Sequence, residues 1–252
     1  MKNEIEALAN GGIRENVLVG INLSAYGKGE DFNIVDAVKI CNDNEKIKRI
    51  RLGSLEPDHL TDEVIDGLSS CEKLCPQFHI SLQSGCNKTL KSMNRHYTAE
   101  EYKALCTKLR ASFYDASLTT DVMVGFNDET EADFSESLDF VKNIAFEKVH
   151  VFPYSERVGT AASKRGDNVS KQEKERRAAV MIEETEKIRH NYLKSLVNTS
   201  KKVLFENEIK PGIYQGYTKS YLPVRMKYDR NIVGEELEVK ITNYCDEFCI
   251  AE

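Results

Sequence analysis

The apolar positions of this chain change their spacing near residue 199, and that change divides it. Before it, short aliphatic and β-branched runs alternate with segments whose apolar positions recur at helical spacing. Residues 4–9 read as the end of a helix stopped by Gly11-Gly12. A buried strand follows at residues 15–20, then a helix at about 33–43, a strand at 49–52 and a helix at about 61–70. His79-Ile80-Ser81-Leu82 reads as a third strand. Thr98 and Glu101 have capping-box spacing ahead of a helix carrying Tyr102, Leu105, Leu109 and Phe113 on one face. Residues 117–124 form the fourth strand, 130–144 a helix and 148–152 the fifth strand. Five such units with short connections predict a parallel sheet with right-handed crossovers and helices outside.

Ser170 and Glu173 then cap a long helix over about 171–197, with Ala178, Met181, Ile182, Ile188, Tyr192 and Leu196 on one face. Its other face carries Lys174, Arg176, Arg177, Lys187, Arg189 and Lys194 among acids, and a solvated charged face is the default explanation. From Thr199 the period becomes two. Runs at 202–206, 212–217, 221–226 and 236–241 predict a small β-barrel of about 55 residues. Tyr217, Lys219, Tyr221, Arg225, Lys227 and Arg230 interleave aromatic and basic groups there. RNA takes that pattern through phosphate contacts and base stacking, and a structural cap accounts for it as well. The expected organisation is an α/β domain over 1–165, a linking helix over 166–198 and the β-barrel over 199–252.

Composition narrows the class. Hydrophobic residues make up 40% and charged residues 30% of the 252, as in a soluble globular protein. No apolar run approaches a membrane span, and the acids near Met1 do not suit a signal peptide, so the sequence predicts a cytoplasmic protein with no membrane partner. A net charge of −6 argues against a wholly basic nucleic-acid binder but leaves room for a local basic face. Seven cysteines, an odd number, do not suggest a disulfide framework. The only close pairs are Cys71-x3-Cys75 and Cys245-x3-Cys249, and two thiolates complete neither a zinc site nor the usual iron–sulfur ligation. Cys106 reads as a small core residue. We therefore expect no metal ligands in the chain.

Each of the five strands opens into a segment of Gly, Ser, Asn, Gln or charged residues. Polar loops after strands are common, but five on one rim of a parallel sheet point to a ligand site. The richest segment follows the third strand, where Gln83-Ser84-Gly85 leads to Asn94-Arg95-His96-Tyr97.

These residues resemble the radical S-adenosylmethionine (SAM) tRNA methylthiotransferases. The resemblance rests on Ser81-Leu82-Gln83-Ser84-Gly85 followed by Met93 to Thr98, on Thr120 to Phe126 with Glu129 and Thr130, on Gly20 to Gly27, and on Tyr154-Ser155-x-Arg157-x-Gly159-Thr160. The segment His150-Val151-Phe152-Pro153-Tyr154-Ser155 is most similar to the branch acting on N6-threonylcarbamoyladenosine, beside the tRNA anticodon. The resemblance implies a partial TIM-like radical-SAM barrel followed by a small all-β, OB-like TRAM barrel that binds the tRNA anticodon arm. It implies SAM and two four-iron four-sulfur clusters in the full-length family member. The family's Cys-x3-Cys-x2-Cys loop and its amino-terminal cluster domain have no counterpart in these residues. The chain thus reads as a carboxy-terminal part that binds no cluster and is inactive alone, an incomplete barrel of five strands with an open edge that would make it sticky or dimeric.

By resemblance, Gly20, Ile21 and Asn22 offer backbone groups to the SAM amino group. Gln83 and Ser54 stand for ribose or carboxylate contacts, and Val122, Gly125 and Glu129 belong to the adenine-side loop. Arg95 suits the SAM carboxylate through two parallel hydrogen bonds, the alternative being a surface ion pair with Glu100 or Glu101. Tyr154 and Arg157 either contact the tRNA or hold the last loop to the helix. One departure is Asn127-Asp128 where the family has Pro-Gly; both residues tolerate turn and left-handed conformations, so the loop can still form. Two other readings stay open: a ribosomal-protein methylthiotransferase, and a non-catalytic RNA-binding module.

Overall fold

The computed structural model describes residues 1–245 and 247–252. After α1 (Lys2–Asn10) come β1 (Glu15–Leu18), α2 (Ile34–Asn42), β2 (Arg49–Leu52), α3 (Asp62–Ser69) and β3 (Gln77–His79). Next are α4 (Asn87–Ser92), α5 (Ala99–Ser112), β4 (Ser117–Val124), α6 (Glu131–Ile144) and β5 (Lys148–Pro153). Capping boxes at Asn33, Thr98 and Thr130 start α2, α5 and α6, so the Thr98–Glu101 spacing carries the predicted hydrogen bonds. The five strands pair in parallel, β1 with β2 and β3-β4-β5 together. The two sets are joined where the Leu55 N–H donates to the His79 carbonyl (2.8 Å) and the Ser81 N–H to the Leu55 carbonyl (3.1 Å). The regular part of the third strand begins two residues before the predicted run. Ile80 and Gln83 continue it only as isolated bridges to Leu55 and Val122.

One face of this sheet packs on the helices. Ile50, Phe78, Leu118, Val122 and Val124 are buried there with Tyr102, Phe113 and Phe146. Phe78 and Phe113 lie 4.8 Å apart, tilted by 60°, and the Tyr102 hydroxyl donates to the Ile80 carbonyl (2.7 Å). The alternate positions face the other way. The register pairs Thr119 with Lys148, Asp121 with His150 and Met123 with Phe152 on that second face. A cavity of about 1260 Å³ lies over its lower part, bounded also by the last long helix and the β-barrel. Val17 and Val19 stand 54% and 75% exposed, so the β1 edge keeps apolar surface uncovered.

Helix α7 (Lys171–Ser195) starts at Ser170, whose side chain accepts from the Glu173 N–H. The predicted solvated face is corrected here: Lys174 and Arg177 are buried. Lys174 Nζ bonds Asp167 and the Tyr154 carbonyl, and Arg177 Nη1 bonds the Glu129 carboxylate at 2.8 Å. Helical spacing alone did not reveal that acids and carbonyls of the rim loops would meet this face. Ile182, assigned to the apolar face, is 40% exposed.

β6 (Ser200–Lys210), β7 (Ile213–Thr218), β8 (Pro223–Lys227), β9 (Glu236–Tyr244) and β10 (Cys249–Ala251) close into a barrel in the order β10-β8-β7-β6-β9. The fifth strand has only three residues, too few for period two to show. Val203, Phe205, Val224, Met226, Val239 and Ile241 fill the interior, with Leu193 and Leu196 from the end of α7 against them. Gly216 lies so close to β6 that a Cβ there would come within 2.2 Å of the Leu204 carbonyl oxygen.

Two arginines dock this barrel on the sheet. Arg49 and Arg51 share one face of β2 and are 1% and 3% exposed. Arg49 donates to Glu236 (Nε, 2.9 Å) and to the Tyr217 carbonyl (2.8 Å). Arg51 donates to Glu15 (Nε, 2.7 Å) and to the carbonyls of Thr218 and Lys219, both at 2.8 Å. The barrel therefore sits against the ends where these strands begin.

Candidate functional site

The opposite, carboxy-terminal ends of the strands form a rim knit by side chains. The Ser24 hydroxyl accepts from the Glu56 N–H (3.0 Å), tying the first post-strand loop to the second. Glu56 pairs with Arg95 at 2.6 Å, tying the second to the third. Tyr97 Oη lies 2.9 Å from the carbonyls of both Ser81 and Leu82 and donates to them at the strand end. Gln83 follows with φ +67°, which turns the chain out of the strand. Its backbone still bonds β4, accepted by Asp121 (2.9 Å) and donated to by Met123 (2.8 Å).

The fourth loop closes on itself. The Glu129 carboxylate accepts from the Gly125 N–H (2.8 Å) and from Arg177, and burial nevertheless raises its pKa above the ordinary value. Gly125 needs its φ of +70°, and Asp128 adopts φ +61°, so the Asn127-Asp128 departure is accommodated as its residue types predict. Asn127 Nδ2 donates to the Ala162 carbonyl (2.7 Å), joining the fourth loop to the fifth. Asn127 Oδ1 and Tyr154 Oη are buried without a hydrogen-bond partner among the described residues.

The sequence candidates thus separate into two kinds. Gly20, Ile21, Asn22 and Ser54 are exposed and Gln83 and Arg95 half-buried, all on the rim loops or the segment just beyond them. Arg95 is held by Glu56, not by Glu100 or Glu101. Val122 is fully buried against the helices, while Gly125 and Glu129 are satisfied by each other and by Arg177. On the barrel, Tyr217 and Tyr221 stack at 4.9 Å, and the Arg51 guanidinium lies 4.6 Å from the Tyr221 ring. Both tyrosines line the cavity over the lower sheet. Arg225 lies on the same outer face of β7–β8 as Tyr217, bonded to Gln215 and stacked 3.7 Å over Phe248. Lys219 contributes its carbonyl to Arg51, Lys227 ends β8 exposed, and Arg230 pairs with Glu235.

Residue spacing missed one constellation. His79 Nδ1 lies 3.0 Å from Thr119 Oγ1 and its Nε2 3.4 Å from Asp121 Oδ2, with the His150 ring centroid 5.8 Å away. The hydrogen bond to His79 lowers the Asp121 pKa, and burial, then Lys148, lowers that of His150. The signal was period two across neighbouring strands, visible only once the register is known.

A family model described as the Radical SAM superfamily matches residues 1–141. The chain belongs to that superfamily. Its radical SAM match is extended by curated relatives. The tRNA-2-methylthio-N(6)-dimethylallyladenosine synthase of Natranaerobius thermophilus is 37% identical over 246 residues, 96% of this chain and 54% of that protein. The threonylcarbamoyladenosine tRNA methylthiotransferase MtaB of Thermotoga maritima is 33% identical over 250 residues, 99% of this chain and 57% of that protein. The chain spans about half the length of the curated relatives it matches. Among solved structures, the radical SAM enzyme HemN from Escherichia coli superposes with a TM-score of 0.56 at 14% identity, covering 86% of this chain and 58% of that one. That likeness is one of fold alone.

Radical SAM membership implies SAM and an iron–sulfur cluster. The rim fits SAM in part: the exposed residues Gly20–Asn22 and Ser54, half-buried Gln83, and two orphaned polar atoms on neighbouring loops. A cluster is not fitted by these residues. Among the described residues no group of three His, Cys, Asp or Glu could hold a metal ion. Cys41, Cys71, Cys75, Cys86, Cys106 and Cys249 are buried, and burial raises the thiols of Cys71 and Cys75 and pushes Cys249 up to about 11, away from the thiolate that ligates metal. No helix among the described residues is long and apolar enough to cross a membrane.

Proposed function

We propose that this chain is the SAM-positioning and RNA-holding part of a tRNA methylthiotransferase acting on N6-threonylcarbamoyladenosine beside the anticodon. The observation that carries the reading is that similarity to tRNA methylthiotransferases runs through both halves of the chain, up to 99% of its length, rather than the superfamily segment alone. The His150 to Ser155 resemblance supports the threonylcarbamoyl branch; in that segment β5 sets His150 opposite Asp121 and 5.8 Å from the His79 ring.

Methylthiolation replaces an unactivated aromatic C–H, which acid–base groups cannot do, so the radical and the methyl group come from SAM chemistry when the cofactor is bound. This chain's own residues bind and orient. Gly20 to Asn22, Ser54 and Gln83 present polar groups to SAM. Glu56 fixes the direction of Arg95, whose remaining N–H groups can meet the SAM carboxylate. Glu129 and Arg177 hold the Gly125 turn from behind. In this reading the barrel is the TRAM module, and the outer face of β7–β8, with Arg225 and Lys227, meets the anticodon arm. Tyr217 and Tyr221 stack on a base at the cavity, or complete the docking with Arg51.

The test is competition binding with anticodon stem-loops whose adenosine carries threonylcarbamoyl, dimethylallyl or no modification. Preference for the threonylcarbamoyl form is expected. Preference for the dimethylallyl form moves the chain to the other branch, and no binding to any of them removes the tRNA reading.

A further inference from the structure

The structure carries a second cationic surface, at the rim and away from the β-barrel. After β5 the chain forms a compact loop over residues 155–168. The Arg157 carbonyl accepts from the Thr160 hydroxyl (2.9 Å), the Thr160 hydroxyl accepts from the Ser163 N–H (3.1 Å), and the Ser163 hydroxyl donates to the Thr160 carbonyl (2.9 Å). Arg165 then reaches across to α4, donating to the Ser92 hydroxyl and carbonyl, each at 2.8 Å, with its guanidinium 5.5 Å from the Phe126 ring. Asn127 fixes Ala162 from the fourth loop.

This bracing fixes the backbone that carries three further cations. Lys164 adjoins Arg165 in the chain, and Lys91 adjoins Ser92, the residue Arg165 grips. Arg157 leads the same loop. Lys91, Arg157 and Lys164 are exposed, and none has an ion pair among the described residues. That sets them apart, because the basic residues of α7 are largely committed: Lys174, Arg176, Arg177 and Lys187 all pair with carboxylates. Within the loop the acid Asp167 is taken up by Lys174, leaving Glu156 as its other acid.

We propose that Lys91, Arg157 and Lys164, on the base fixed by Arg165 and Ser92, form a binding surface for the phosphodiester backbone of the RNA whose base enters the rim. The proposal rests on the tRNA reading above. Long, solvated cations spread over a braced loop and α4 suit a repeating phosphate chain rather than one small anion. Phosphate contacts of this kind fix position and register and carry no sequence information. The surface lies at the opposite strand ends from the barrel, so one RNA would be held at both ends of the sheet.

The test measures binding of an anticodon stem-loop to this chain across a salt series. Each phosphate neutralised contributes about 0.7–0.9 to the slope of log K against log salt. Lys91→Gln/Arg157→Gln/Lys164→Gln should flatten the slope by roughly 2 and weaken binding of modified and unmodified stem-loops alike, with an unchanged melting temperature. A control, Lys2→Gln/Lys240→Gln, removes two exposed cations elsewhere and should leave the slope closer to wild type. An unchanged slope in the triple variant, with wild-type binding intact, overturns the rim surface and leaves the tRNA reading standing. Loss of slope only in Arg225→Gln/Lys227→Gln assigns the phosphates to the barrel and also overturns it. If the wild-type chain binds no stem-loop, both readings fall.

Discussion

Arg51→Met is the sharpest probe of how the two halves are held together. The guanidinium is 3% exposed and makes four polar contacts: Glu15 at 2.7 and 3.4 Å and the carbonyls of Thr218 and Lys219 at 2.8 Å. Met keeps most of the stem's volume and removes every donor. Breaking a buried pair by deleting one partner costs about 3–5 kcal/mol. Arg49 stands 3.8 Å from the Glu15 carboxylate and recovers part of that, while two carbonyls lose a donor worth about 1 kcal/mol each. The expected destabilisation is about 4 kcal/mol, which at roughly 2–4 °C per kcal/mol lowers the melting temperature by about 8–16 °C. Scanning calorimetry should show one transition for the wild type and two for the variant as the barrel comes loose. Glu15→Gln in the same background removes the stranded charge and should restore about 1–2 kcal/mol. A loss below 1 kcal/mol, or a double variant no better than the single, would refute the claim that Arg51 holds the barrel.

Two further outcomes follow from individual side chains. Burial pushes the Glu147 carboxyl up to about 7, with Arg189 opposing, and Ser117 and Arg189 bonded to it. A carboxyl whose folded pKa lies above its unfolded value contributes stability that is complete below about pH 4.5 and lost as pH rises through about 7. Glu147→Gln should therefore flatten the fall in urea midpoint between pH 5 and 8, and an unchanged profile would count against this assignment. Gly216→Ala drives a Cβ into the Leu204 carbonyl, 2.2 Å away, and should cost the barrel at least about 2 kcal/mol by urea denaturation. Wild-type stability would show that β6 and β7 move apart freely.

The elements were legible wherever one local rule governed them. The Thr98–Glu101 capping box, the alternation of β4 and the left-handed tolerance of Asp128 all act within a few residues. Contacts between distant segments were not legible. The strand at 49–52 was legible, but not that two of its side chains, Arg49 and Arg51, share a face whose acceptors lie about 170 residues away in the barrel. Lys174 and Arg177 looked like solvated helix charges because their partners, Asp167 and Glu129, sit on loops that periodicity does not describe. The polar segments of the rim were legible by their position at strand ends. Glu56 as the partner of Arg95, by contrast, depends on how the second and third units pack.

The barrel meets β2 through backbone oxygens as well as through Glu236. The carbonyls of Tyr217, Thr218 and Lys219 exist whatever side chains those positions carry. A mutation of Tyr217 or Lys219 can therefore alter what the loop touches while leaving most of its grip in place, provided the chain keeps its path. The joint is specified on one side by two arginines and on the other chiefly by geometry. This gives the barrel latitude to drift toward new partners without coming adrift from the half that carries the rim.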